Sequence, residues 1–172
     1  SQSPAPKDTM PASPDDLFAY LDALGITHQT TWHEAMFTVE QSSALKADMP
    51  GAHTKNLFLK DKSGQFWLVT LPSDKRADLK AFAALLGAGK FSFAKPDDME
   101  RLLKVTPGSV TPLAAANAEP GHVTLVFDAS FREAERIAIH PLRNTATIAL
   151  PFEALMSWLS GRGVSTAVVE LP

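Results

Sequence analysis

Two apolar runs with a short polar break between them constrain this chain most. Leu57-Phe58-Leu59 comes first, then a break holding Asp61, Lys62, Ser63 and Gly64, then Phe66-Trp67-Leu68-Val69. Apolar runs of strand length around a glycine-bearing turn predict a β-hairpin. Leu57, Phe58 and Leu59 are consecutive instead of alternating with polar residues, so the first strand is expected to be covered on both faces. Lys55 and Asn56 stand just before the run, where the strand meets its loop. A cation and a carboxamide at the mouth of a central strand are well placed to meet a ligand. An ordinary solvated strand-end lysine would read the same way, and the hairpin alone leaves both readings open.

A chain of 172 residues suits one domain with a sizeable core. With 45% hydrophobic and 20% charged residues it has the composition of a soluble globular protein. No apolar run approaches the length of a membrane span, and no cationic segment followed by an apolar one marks a secretory leader. The absence of cysteine excludes disulfides, thiolate nucleophiles and cysteine zinc sites, which suits the cytoplasm. The formal charge of −3 argues against a protein that coats nucleic acid without selection. Its distribution is uneven. Residues 1–52 carry two basic and seven acidic side chains, residues 53–105 ten and six, and residues 106–172 four and six. The middle third is therefore locally basic, enough to meet a few phosphates. Lysines that only decorate helix surfaces would give the same count.

Residues 1–13, rich in proline and serine, are expected to form a flexible leader to a domain over 14–172. Ser13-Pro14 starts a helix with Leu17, Phe18, Leu21 and Leu24 on one face, closed by Gly25. Further elements follow as a strand over 28–33, a short helix over 38–45 and the hairpin. Next come a helix over 79–86 capped by Asp78, a strand over 91–93 and a helix over 96–104 opened by Pro96. Residues 106–120 read as irregular. Strands over 122–128, 136–140 and 145–150, a helix from Pro151 to Leu159 and an edge strand at Val168-Val169 complete the chain. Strands and helices interleave without regular alternation. The expected fold is thus α+β, a single domain with a mixed, largely antiparallel curved sheet surrounded by helices.

The common catalytic signatures are absent. His33-Glu34 resembles the opening of a zinc-protease helix, but position 37 is Phe, so no metal site is expected. There is no Gly-x-Ser-x-Gly elbow, and Gly87-Ala88-Gly89 ends a helix instead of opening one, so no nucleotide cofactor is expected. Two other segments stand out. Pro107 and Pro112 stiffen the loop Gly108-Ser109-Val110-Thr111, in which Gly108 allows the backbone to approach a ligand and offer N–H groups to an oxyanion. A rigid helix-to-strand connection would look the same. His140-Pro141-Leu142-Arg143-Asn144 sets a histidine at a strand end before a tight turn, where it can donate or accept a proton or serve structure alone.

Thr54-Lys55-Asn56-Leu57-Phe58-Leu59-Lys60-Asp61, then Gly108-Ser109-Val110-Thr111-Pro112, then His140-Pro141-Leu142-x-Asn144 occur in this order. Together they resemble the YbaK and prolyl-tRNA-synthetase-associated editing domains over residues 14–170, and most of all the free-standing alanyl-tRNA(Pro) deacylases. The resemblance implies a cofactor-free hydrolase acting in trans on the acceptor end of tRNA(Pro) that carries a wrong amino acid, with prolyl-tRNA synthetase as a further candidate partner. It assigns Lys55, Gly108 and His140 to catalysis. It assigns Asn56, Ser109, Val110, Thr111, Pro112, Leu142 and Asn144 to the substrate, and Lys55, Lys60 and Lys90 to the tRNA. Relatives are thought to rely on the tRNA's own terminal hydroxyl and a positioned water, without a protein general base. Removal of cysteine instead of alanine, or a non-catalytic nucleic-acid-binding module, are the alternatives. No helix-turn-helix signature supports a DNA-binding role.

Overall fold

The computed structural model describes residues 14–32, 51–105, 110–119, 121–139 and 146–172. Expectations for residues 1–13, for a helix over 38–45 and for His33 lie outside them.

The hairpin forms as its sequence requires. Strand β2 (Ala52–Lys60) pairs antiparallel with β3 (Phe66–Pro72), with Asn56 opposite Thr70 and Leu59 opposite Trp67. Asp61 builds the turn. Its carboxylate accepts from the Ser63 and Gln65 backbone N–H groups at 2.9 and 3.0 Å, from the Ser63 hydroxyl at 2.7 Å and from Trp67 Nε1 at 3.0 Å. Burial raises the pKa of this carboxyl, but the hydrogen bonds from Ser63, Trp67 and Gln65 outweigh it and leave the group below its ordinary range. Gly64 takes the positive φ of +91° that lets the chain turn back.

Around this hairpin, eight strands among the described residues form one mixed sheet. Its order is β1 (Gln29–Trp32), β7 (Ala146–Leu150), β6 (Ile137–Ile139), β2, β3, β5 (Val123–Asp128) and β8 (Thr166–Val169). The two-residue β4 (Ser92–Phe93) pairs with the far end of β2. The β1–β7, β7–β6, β2–β3 and β2–β4 pairs are antiparallel, whereas β2–β6, β3–β5 and β5–β8 are parallel. The expected α+β class and mixed sheet are thus found, with β8 at the edge.

Both faces of the central strands are covered, as the consecutive apolar residues of β2 demand. One face carries Phe58, Leu68, Leu125 and Phe127, and packs against helices α1 (Pro14–Ala23), α3 (Pro96–Leu103) and α4 (Phe152–Gly161). The other face carries Leu59, Val69, Leu71 and Val126, and packs against α2 (Leu79–Leu86) through Phe82 and Ala83. Asp78 caps α2 by accepting from the Ala81 N–H, and Gly87 closes it in the left-handed conformation, as expected.

Two local expectations fail. The stretch read as irregular contains a six-residue 3₁₀ helix, Pro112–Asn117, whose Leu113 and Ala114 to Ala116 are buried. Short alanine side chains carry no periodic signal, and contact with α3 and β5 makes this turn helical. Pro151 also stands outside α4 as its N-cap, with φ −61° and ψ 138°.

Candidate active site on the central strand

Lys55 and Asn56 are not at the mouth of a strand. β2 begins at Ala52, three residues before Lys55, because its first residues are claimed from both sides. Ala52 and His53 pair parallel with Ile137 and Ala138 of β6, and the Ser73 N–H donates to the His53 carbonyl. The close approach is made by Gly51, whose φ of +90° and whose lack of a Cβ, which would lie 3.3 Å from the Ile137 carbonyl carbon, both require glycine.

Alternation along β2 sends neighbouring side chains to opposite faces. Lys55 lies opposite Leu71, on the α2 face. It is half-buried, and its ammonium makes no hydrogen bond or ion pair with any described residue. Asn56 points to the other face, and both ends of its amide are engaged. Its Oδ1 accepts from the Thr70 hydroxyl at 2.6 Å, and its Nδ2 donates to the Val110 carbonyl at 3.3 Å. Asn56 thereby ties β2 and β3 to the segment that leaves the Gly108 loop. Thr111 and Pro112 are buried, so their side chains face the core. Gly108 and Ser109 lie outside the described residues.

β6 ends at Ile139, the residue before the third segment in sequence. Ala138 pairs beside His53, and the Thr54 hydroxyl donates to the Ala138 carbonyl at 2.8 Å. Ile139, the last described residue of β6, therefore stands one step further along β2, level with Thr54. His140, Leu142 and Asn144 lie outside the described residues. Val110 of the second segment and the end of β6, after which the third segment follows in sequence, thus reach β2 within Thr54–Asn56. Thr54 opened the first motif but was given no role, and Thr70 escaped the sequence reading. The signal was present for Thr70: folding the hairpin about Ser63 sets this single hydroxyl of an apolar run opposite Asn56.

The other lysines stand apart. Lys60 lies five residues, about 17 Å, along β2 from Lys55. It points to the opposite face, with its ammonium 5.6 Å from the Phe66 ring centroid. Lys90 is exposed beside a cavity of about 720 Å³ between α2 and Phe91. Among the described residues no cluster of His, Asp and Glu is arranged to hold a metal ion. No described helix is long and apolar enough to cross a membrane.

A second charged cluster sits at the far end of the sheet. Asp128 Oδ1 accepts from Lys75 Nζ at 3.2 Å and from the Leu171 N–H at 3.0 Å, and its Oδ2 accepts from the Ser130 hydroxyl. Lys75 Nζ also donates to the Leu171 carbonyl at 2.6 Å. Burial alone would raise the Asp128 pKa. The Ser130, Leu171 and Lys75 donors reverse this and hold it below its ordinary value. Every group of this cluster is committed to pinning the last residues of the chain onto β5.

The profile of a family described as "aminoacyl-tRNA editing domain" matches residues 33–157. The prolyl-tRNA editing protein ProX of Acetoanaerobium sticklandii is 33% identical over 156 residues, covering 90% of this chain and 95% of the relative. Prolyl-tRNA synthetase associated domain-containing protein 1 of Xenopus laevis is 36% identical over 160 residues, with coverages of 90% and 95%. Among solved structures, the hypothetical protein APE2540 superposes with a TM-score of 0.66 at 20% identity, over 90% of this chain and 97% of the other. A protein provisionally described as a trans-editing enzyme for prolyl-tRNA synthetase superposes with a TM-score of 0.62 at 19% identity, over 99% and 98%. These two likenesses speak for the fold.

Proposed function

The chain belongs to the aminoacyl-tRNA editing domain family, and from that premise we propose that it hydrolyses the ester joining a wrong amino acid, alanine above all, to the 3′ end of tRNA(Pro). The observation that supports this reading is that Val110, from the second motif, and Ala138 of β6, the strand that precedes the third motif in sequence, both contact β2 within Thr54–Asn56.

In the proposed reaction a water attacks the ester carbonyl carbon, and the carbonyl oxygen gains negative charge. The bond from that carbon to the ribose oxygen then breaks. The ribose oxygen leaves with a proton that came from the water, directly or through the neighbouring ribose hydroxyl. Lys55 sets a positive charge beside the terminal phosphate or the polarised ester. The backbone N–H groups of the Gly108 loop meet the oxyanion, the kind of contact worth about 2.7–4 kcal/mol when one donor is removed. Asn56 holds the outgoing end of that loop, and His140 and Asn144 orient the terminal adenosine or the aminoacyl group. This scheme assigns no side chain as general base.

The choice of alanine follows from what a synthetase cannot do. A proline-sized pocket rejects a smaller side chain by only about 1–3 kcal/mol, so a second site that admits alanine and excludes proline completes the discrimination. One tRNA(Pro) charged in turn with alanine, cysteine, serine and proline, each treated with equal enzyme, tests this. Loss of alanine with proline spared is the expected result. Faster loss of cysteine transfers the protein to the cysteine-specific branch, and loss of none makes it a binding module.

A further inference from the structure

Phe93 is 62% exposed, the most open large apolar side chain among the described residues. It belongs to β4, where it pairs with Leu59 of β2. Two residues earlier, Phe91 is buried edge-on against Trp67. The strand thus anchors one aromatic ring and presents the next. Beside it, Lys90 and Lys95 are exposed, and neither ammonium pairs with a described residue.

The position of Phe93 relative to Lys55 follows from the pleat. Lys55 and Leu59 share a face of β2 and stand about 13 Å apart along it. β6 leaves the outer edge of β2 after His53, and β4 joins that same edge at Leu59. Between them no described strand pairs with that edge. Lys55 and Phe93 therefore mark two points along one edge of the sheet, a few nucleotides of single strand apart.

We propose that Phe93, flanked by Lys90 and Lys95, is the stacking platform for the unpaired nucleotides that precede the terminal adenosine of a tRNA acceptor end. An exposed ring among exposed cations matches the chemistry of single-stranded RNA: a base face to stack and phosphates to neutralise. This proposal rests on the function proposed above and adds to it a positioning residue outside the three motifs.

The test uses the full chain and two probes, a short single-stranded RNA ending in CCA and the same sequence closed in a blunt duplex. Phe93→Ala should weaken binding of the single strand about 5- to 150-fold, the range for loss of one stacked base. It should raise KM for Ala-tRNA(Pro) similarly and leave kcat and the melting curve unchanged. Phe93→Trp should restore both, and Leu85→Ala, which removes an exposed apolar side chain elsewhere, should change neither. Equal binding of the single strand by Phe93→Ala and wild type overturns the proposal. So does lost self-association or lost synthetase binding with RNA affinity intact, which would make Phe93 a protein contact. The two readings separate cleanly. Phe93-dependent RNA binding without deacylation by the wild type sinks the hydrolase and keeps the platform, whereas full-rate deacylation by Phe93→Ala at wild-type KM does the reverse.

Discussion

Replacing Asn56 by alanine should damage both stability and rate, because this one amide joins three segments. Two neutral hydrogen bonds are lost, to Thr70 and to Val110, at about 1 kcal/mol each. Thr70 is fully buried, and its orphaned hydroxyl costs a further 1–3 kcal/mol or so. The sum is about 3–5 kcal/mol, which for a domain of this size lowers Tm by roughly 6–20 °C. The rate should fall further than stability explains. The Val110 carbonyl fixes the outgoing end of the Gly108 loop, and misplacement of a catalytic group by about 1 Å can cost 10²-fold. Asn56→Asp separates the two effects: it keeps an acceptor for Thr70 and loses the donor to Val110, so it should retain more stability than alanine while deacylating as slowly. A double-mutant cycle with Thr70→Val should show coupling of about 0.5–3 kcal/mol. Thermal melts and single-turnover deacylation of Ala-tRNA(Pro) are the measurements. An Asn56→Ala protein that melts and deacylates like the wild type would refute the reasoning.

Three other outcomes follow from the same geometry. Lys55→Met keeps the half-buried stem and removes the charge, so deacylation should fall at least tenfold while stability changes by no more than about 0.5 kcal/mol; an unaltered rate counts against the role of the ammonium. Affinity for tRNA(Pro) should decline with salt at a log–log slope of only a few units, about 0.7–0.9 per phosphate contact, and a slope near zero, read by filter binding, would exclude an acceptor-stem reader. Asp128, with its pKa depressed below the ordinary 3.8, contributes stability that is present above its unfolded pKa and lost as pH falls through the folded one; the Tm gap between wild type and Asp128→Asn should therefore be largest near neutrality and close below pH 4 or so, and a gap independent of pH contradicts the assignment.

Much of this architecture was already legible in local pattern. The hairpin, the burial of β2 on both faces, the caps at Asp78 and Gly87 and the edge position of β8 all rest on interactions between residues near one another or on a face-by-face hydrophobic count. The three motif segments were legible too, because residue types with distinct chemistry recur there in a recognisable order. The 3₁₀ helix at Pro112–Asn117 was not, since alanines and a proline without periodicity become helical only when α3 and β5 close over them.

Amino-acid order alone determined that a hairpin carries Lys55 and Asn56 and that a proline-stiffened loop and a His-Pro turn follow it. Only the tertiary structure decided what covers each of the two faces of β2 that Lys55 and Asn56 serve, that Asn56 is spent on Thr70 and Val110, and that Phe93 lies on the edge that Lys55 marks. The physical reason is that alternation along a strand is local, whereas the partners that give each face its meaning come from β6, from the Gly108 loop and from β4, each brought in by pairings that no short window of sequence contains.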